Sequence, residues 1–366
     1  MPDFWRQVMD WLWLAVGLAV LTAGAEFMVR GAVALAAAMR VSPLVIGLTV
    51  VAFGTSAPEL VVSLRSGFVG QPEIALGNVI GSNIFNVLVI LGISAIITPL
   101  RVDRQLVRFD VPLMIALSIL VYGLCLDGRI DRMEGGVLAV GLVAYTVWSI
   151  AKSRRDNAPA LVGEFAAEYA EKVAATPWKL AWDIVMVIGG LAMLVIGGDL
   201  FIGAAVGIAR AWGLSELVIG LTLVSAGTSL PEVATSVVAA LKGERDIAVG
   251  NVVGSNIFNL MCVAGITGLA VPGGIPVGEM AIARDLPVMV IVAIACMPLF
   301  LVGNGVERWE GMILIAFYAL YACFLVAMAQ ANEDMVRVLT IVGWILAPLA
   351  VVAYMTRIAV TFRRGA

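Results

Sequence analysis

The sequence predicts an all-α polytopic membrane protein: two inverted-topology five-helix repeats, about ten core transmembrane helices, and a C-terminal eleventh. Three observations carry that fold class. Of 366 residues, 61% are hydrophobic and only 13% are charged, where a soluble domain has about 25% charged residues; mean hydropathy is +1.03. Apolar runs of roughly 20 residues, each long enough to cross a bilayer as a helix, recur along nearly the whole chain. Two long phrases are also written twice at one fixed offset. A β-barrel would show short alternating segments instead. The net charge of −3 decides little, because membrane proteins sort charge by side.

In order, the expected spans are 12–36, 42–66, 73–98, 109–126, 135–151, 181–208, 214–240, 247–270, 286–303, 311–330 and 338–357. The opening MPDFWRQVMDWLWLAV has no basic n-region and no small-residue cleavage site, so it is not a signal peptide. It reads as a short tail before the first span, with Trp5, Trp11 and Trp13 as interfacial anchors. The polar stretch 152–180 carries Lys152, Arg154, Arg155, Glu164, Glu168, Glu171, Lys172 and Lys179 and is expected to form a short surface helix. The chain therefore divides into a first repeat (1–151), a cytoplasmic linker (152–180), a second repeat (181–330) and an extra helix with its tail (331–366).

Basic residues in short loops set the orientation. Placing the N-terminus outside puts Arg30, Arg40, Arg101, Arg104, Arg108, Lys152, Arg154, Arg155, Lys242 and Arg245 inside, with Arg357, Arg363 and Arg364 in the inside tail. The outside loops then hold Arg6, Arg129, Arg132, Arg210, Arg284 and Arg337, most of them beside an acidic residue. N-terminus out and C-terminus cytoplasmic is the better fit.

The duplication carries the function. LVIGLTVVAFGTSAPE (44–59) returns as LVIGLTLVSAGTSLPE (217–232), and GNVIGSNIFN (77–86) as GNVVGSNIFN (250–259), each 173 residues on. Glu26 and Asp199 share the offset; near span ends, they suit a structural or gating role. Five spans precede the second copy, and five is odd, so that copy enters the membrane from the opposite side. Inverted repeats give two alternative states and belong to secondary transporters.

Within the motifs, Glu59 and Glu232 sit in apolar spans with no basic residue close in sequence. A carboxylate there is costly and marks a functional site. Thr55 and Thr228 lie four residues before them, on the same helix face. Pro58 and Pro231 have no N–H for the carbonyls of Gly54 and Gly227, so each helix should break and release carbonyl oxygens. Ser82 with Asn86, and Ser255 with Asn259, repeat the four-residue spacing. Gly77 with Gly81, and Gly250 with Gly254, form G-x-x-x-G, which lets helices approach closely. All these ligands are oxygens, which suits a hard cation. Two carboxylates match one Ca2+, with about 6–8 oxygen ligands, or several Na+ sharing the same oxygens.

Other chemistry lacks its parts. There is no histidine, hence no usual proton relay or commonest transition-metal ligand. Cys125, Cys262, Cys296 and Cys323 are scattered through apolar runs without paired spacing and read as small core hydrophobes. An enzyme would need a nucleophile–base pair or a metal cluster, so none is expected, and no cofactor, since the ions are substrates. A passive cation channel remains the alternative of a different class.

GTSAPE with GNVIGSNIFN, repeated as GTSLPE with GNVVGSNIFN, resembles the α-repeats of the sodium/calcium exchangers, in the cation/Ca2+ antiporter superfamily. The resemblance covers roughly 12–150 and 181–330. It implies ten helices in two inverted repeats, with helices 2, 3, 7 and 8 holding the ions and helices 1 and 6 sliding to alternate access. It implies that Glu59 and Glu232 bind Ca2+ and share Na+, that Thr55 and Thr228 assist, that Ser56, Ser82, Ser229 and Ser255 line flanking Na+ sites with carbonyls near Ala52 and Ser225, and that Asn86 and Asn259 stand at the middle. Export of Ca2+ from the cytoplasm against Na+, three Na+ per Ca2+, is the implied activity, in the plasma (inner) membrane of a prokaryote. Its partners would be the two ions and the lipid bilayer, not nucleic acid, and a monomer is a plausible unit. Several exchangers carry aspartate at one of the positions of Asn86 and Asn259; both are asparagine here. That leaves Ca2+/H+ or K+-linked exchange as the alternative within the class.

Overall fold

The computed structural model describes residues 2–39, 41–70, 72–156, 177–212, 225–301 and 305–346, together with 348 and 355. Four expectations lie wholly or partly outside these: the surface helix of the linker, over 157–176; the start of the seventh span, 214–224; the last span beyond 346; and the Ser225 side chain. Helices account for nearly everything described. They are α1 (Pro2–Met39), α2 (Pro43–Thr55), α3 (Ala57–Phe68), α4 (Ile74–Ile97), α5 (Leu106–Asp127), α6 (Arg132–Arg155) and α7 (Trp178–Ala211). After a short turn of helix at Ser225–Gly227 come α8 (Leu230–Leu241), α9 (Arg245–Ala270), α10 (Ala281–Leu301), α11 (Arg308–Ala329) and α12 (333–346). Eight of these helices are long and apolar enough to cross a membrane, or nine counting α2 and α3 as one bent span. The chain is an integral membrane protein.

One feature differs from the sequence expectations. The N-terminal stretch is no separate tail: it is helical from Pro2, continuous with the first span, and Trp11 packs against Trp212 at 6.3 Å between ring centroids. The expected break in the second span is centred on Ser56, where φ is −83° and ψ is 4°, and the two pieces are bent by 40°. Pro58 falls in the first turn of α3, where a missing N–H leaves no bond unmade. Pro231 takes the same place in α8.

Glycine sets how closely the long helices meet. A methyl added at Gly24 of α1 would sit 2.9 Å from the Gly190 carbonyl oxygen of α7, and one at Gly197 would sit 2.7 Å from the Leu21 nitrogen. Gly17, Gly24 and Gly31 recur every seven residues on α1; Gly17 faces Gly197 of α7, Gly24 faces Gly190, and Gly31 faces Asp183 and Val187. Close contact of this kind replaces the hydrophobic effect as the source of helix association in lipid. The G-x-x-x-G of α9 acts likewise: a methyl at Gly254 would meet the Leu48 Cα at 2.8 Å.

Two short ribbons join the halves. β1 (Leu100–Arg101) pairs antiparallel with β4 (Gly305–Val306), and β2 (Arg129–Ile130) with β3 (Ile275–Pro276). Each links a loop of one repeat to a loop of the other. Inside each half, a tyrosine ties neighbouring helices: Tyr145 Oη donates to Asp110 Oδ1 at 3.0 Å, and Tyr321 Oη to Asp285 Oδ1 at 3.3 Å. Glu26 accepts from Lys242 Nζ at 2.7 Å and also pairs with Arg30, joining α1 to the end of α8; Asp199 is exposed. The core is centred on the helices of the second motif. Of their most apolar windows, 89% of α9 and 67% of α4 is buried, against 11% of α11; α4 and α9 thus lie inside and α11 faces lipid.

Gly254→Ala should lower stability by about 1–3 kcal/mol, because the obstructing atoms are backbone and cannot yield. Gly123→Ala, with open space beside it, should change little. Thermal melting of both variants in detergent checks the pair.

Candidate functional site

The breaks at Ser56 and Ser229 place Glu59 and Glu232 in the first turns of α3 and α8. A helix N-terminus favours negative charge, and both carboxylates are buried, at 0% and 1% exposure. Facing them, α4 and α9 widen into π-turns at Asn86–Ile90 and Asn259–Val263. Each begins on the central asparagine, whose carbonyl accepts from the N–H five residues on. Such bulges are common at functional sites.

Each half holds the other's ligands. Ser56 Oγ donates to Glu232 Oε1 at 3.1 Å, and Ser229 Oγ to Glu59 Oε1 at 3.1 Å. Ser82 Oγ lies 3.2 Å from Ser229 Oγ. Thr55 Oγ1 donates to Asn251 Oδ1 at 3.1 Å, with the Ala52 carbonyl 3.4 Å away, and Thr228 Oγ1 donates to Asn78 Oδ1 at 3.3 Å. These asparagines in turn secure the glutamate helices. Asn251 Nδ2 donates to the Glu232 carbonyl (3.3 Å) and Ser236 Oγ (2.9 Å); Asn78 Nδ2 donates to the Glu59 carbonyl (3.2 Å) and Ser63 Oγ (3.1 Å).

The geometry bonds Ser56 to Glu232, and Ser229 to Glu59 with Ser82 on Ser229, and spends the hydroxyl protons of Thr55 and Thr228 on amides. The Ala52 carbonyl accepts from the Ser56 N–H at 3.0 Å, so it keeps one lone pair for a ligand. Ser225 begins the short helix before the second break. Asn86 and Asn259 reach across to Asn256 Oδ1 (3.0 Å) and Asn83 Oδ1 (3.1 Å). Asn78, Asn251, Asn83 and Asn256 were not singled out from the sequence, although all four stand in the duplicated phrase.

Among the described residues, five oxygens of the predicted site residues are buried with no hydrogen-bond partner: Glu59 Oε2, Glu232 Oε2, Asn86 Oδ1, Asn259 Oδ1 and Ser255 Oγ. An unsatisfied buried acceptor costs about 1–3 kcal/mol, more when charged. Among the described residues, the ion pairs Glu26–Arg30, Glu26–Lys242 and Asp285–Arg284 involve neither glutamate, and no cluster of three or more His, Cys, Asp or Glu occurs. Two carboxylates with neutral oxygens around them can hold a hard cation and lack the nitrogen and sulfur that a softer metal prefers.

Comparison with known proteins gives the same picture. The family model described as sodium/calcium exchanger protein matches residues 9–151 and 182–327. The putative antiporter CaxA of Alkalimonas amylolytica is 37% identical over 317 residues, covering 85% of this chain and 96% of the relative. The sodium/calcium exchanger MaX1 of Methanosarcina acetivorans is 30% identical over 344 residues, covering 85% and 97%. A structure of the sodium-calcium exchanger NCX_Mj, soaked with zero Na+ and Ca2+, superposes with a TM-score of 0.73 at 30% identity, covering 89% of this chain and 99% of that one.

Asn251→Ala removes the partner of the Glu232 carbonyl, Ser236 and Thr55 at once. It should destabilise the ion-free protein by roughly 1–3 kcal/mol, and Asn78→Ala should do the same in the other half. Melting curves recorded without Na+ or Ca2+ check both.

Proposed function

The chain belongs to the sodium/calcium exchanger family, and from that premise we propose that it moves Ca2+ out of the cytoplasm in exchange for Na+ by alternating access. It is a cation/Ca2+ antiporter of the Na+/Ca2+ exchanger type, a transporter and not an enzyme. The coupling ion, the direction and the access mechanism are the proposal, as are the ligand roles and the placement in a prokaryotic plasma membrane with the N-terminus out.

The observation that carries it is the set of five partnerless oxygens. Glu59 and Glu232 supply the charged ligands. Asn86, Asn259 and Ser255 supply neutral ones. Ser56 and Ser229 hold the carboxylates, Ser82 bonds Ser229, and the three complete the flanking positions with Thr55, Thr228 and the carbonyls near Ala52 and Ser225. One Ca2+ neutralises the two carboxylates. Na+ ions sharing the same oxygens do so as well, and both sets cannot be present together. That competition is what couples the fluxes. An empty site leaves the partnerless oxygens in a low-dielectric interior, which opposes passage of the barrier. A filled site is near neutral.

The inverted halves, 1–151 and 181–330, give the two states, open to opposite sides, similar energies. The moving elements are α1 and α7, which meet along the glycine seam and so can travel as one body over the site. The linker 152–180 lies on the cytoplasmic side, and the helix beyond 331 stands outside the ten-helix core.

Glu59→Gln and Glu232→Gln should each abolish Na+-gradient-driven Ca2+ uptake into proteoliposomes while leaving folded, monodisperse protein. Retained exchange in both variants contradicts the assignment.

A further inference from the structure

Two chains of hydrogen bonds run into the site, and each starts on a methionine. In one, Asn256 Nδ2 donates to Met114 Sδ at 3.5 Å and Asn86 Nδ2 donates to Asn256 Oδ1 at 3.0 Å. In the other, Asn83 Nδ2 donates to Met289 Sδ at 3.8 Å and Asn259 Nδ2 donates to Asn83 Oδ1 at 3.1 Å. Both chains end on an amide oxygen with no partner, Asn86 Oδ1 or Asn259 Oδ1. All six side chains are buried. Asn83 also donates to the Asn256 carbonyl at 3.4 Å, which joins the two chains.

The direction of the Met114 chain follows from the sulfur, and that of the Met289 chain from the sulfur together with the Asn256 carbonyl. A thioether has lone pairs and no proton. An amide meeting it must turn its nitrogen outward, so its oxygen faces the next amide. That amide must then offer its nitrogen, and its own oxygen is left pointing into the site. Without an acceptor-only anchor, the two ends of an amide are nearly the same size, and the whole chain could reverse. A reversed chain would present N–H groups to a cation. Leucine would fill the same space, so packing alone gives no reason for sulfur at both positions.

We propose that Met114 with Asn256, and Met289 with Asn83, are positioning pairs that hold the Asn86 and Asn259 oxygens toward the transported cation. This rests on the cation site proposed above and deepens it. With two carboxylates, neutral oxygens make up most of the shell, so their aim governs affinity.

The test is radiolabelled Ca2+ uptake into Na+-loaded proteoliposomes against external Ca2+, with melting in ion-free detergent alongside. Asn256→Leu removes the acceptor and should raise the half-saturating Ca2+ about tenfold. Asn256→Asp keeps an acceptor facing Asn86 and should stay within about threefold of wild type. The double variant Met114→Leu with Met289→Leu should raise half-saturation about threefold, since sulfur is a weak acceptor, with unchanged maximal rate and melting temperature. Wild-type half-saturation in the methionine double variant overturns the proposal, and that variant decides alone if Asn256→Leu does not fold. A lower melting temperature with wild-type half-saturation in Asn256→Leu assigns a structural role and overturns it too. Failure of the functional reading looks different: wild type itself shows no Ca2+ uptake, and both proposals fall together.

Discussion

An oxygen buried without a proton to accept is the constraint around which this molecule is arranged. In a membrane interior no water can repair such a defect, and the chain concentrates five of them between its two halves. Everything nearby either aims those oxygens or keeps them from finding another partner. The serines at the two breaks bind one oxygen of each carboxylate and leave the second open. The glycines of α9 bring the Leu48 backbone against it, and the burial of α4 and α9 keeps the site away from lipid. On the proposed function, cations complete the protein's own bonding, which is how a membrane-embedded site with two carboxylates would exist without a basic partner.

The duplication has a further physical consequence. Ser56 serves the carboxylate of the second half, Ser229 that of the first, and the same crossing holds for Thr55 and Thr228. Neither half could form the site alone. Each half supplies the other's hydrogen-bond donors, so the two carboxylates are bound alike through Ser56 and Ser229. The ribbons between loops of opposite halves fix that relationship outside the site.

Much of this was legible in the sequence. Glu59, Glu232 and the breaks beside them followed from hydropathy, proline and the repeat, because those signals are local. Asn78, Asn251, Asn83 and Asn256 were harder, since their roles depend on partners 150 or more residues away; their one local signal was membership of the duplicated phrase. Asp110 with Tyr145, and Asp285 with Tyr321, escaped for another reason. The spacing between copies is 173 in the motifs but 175 at the aspartates and 176 at the tyrosines, so a search at one offset passes over them. The π-turns were also beyond reach. They widen a helix at Asn86 and Asn259 without proline or glycine at that position. The N-terminal tail was misjudged because polar and aromatic residues suggested an interface where the chain continues as helix.

The measurement that tests the central claim most directly is uptake of radiolabelled Ca2+ by proteoliposomes loaded with Na+, in Na+-free buffer with a protonophore present. The account predicts uptake that needs the outward Na+ gradient, survives the protonophore and stops when Na+ is equal on both sides. Uptake indifferent to Na+ but driven by an imposed pH gradient with the protonophore omitted would contradict Na+ coupling and assign the chain to Ca2+/H+ exchange.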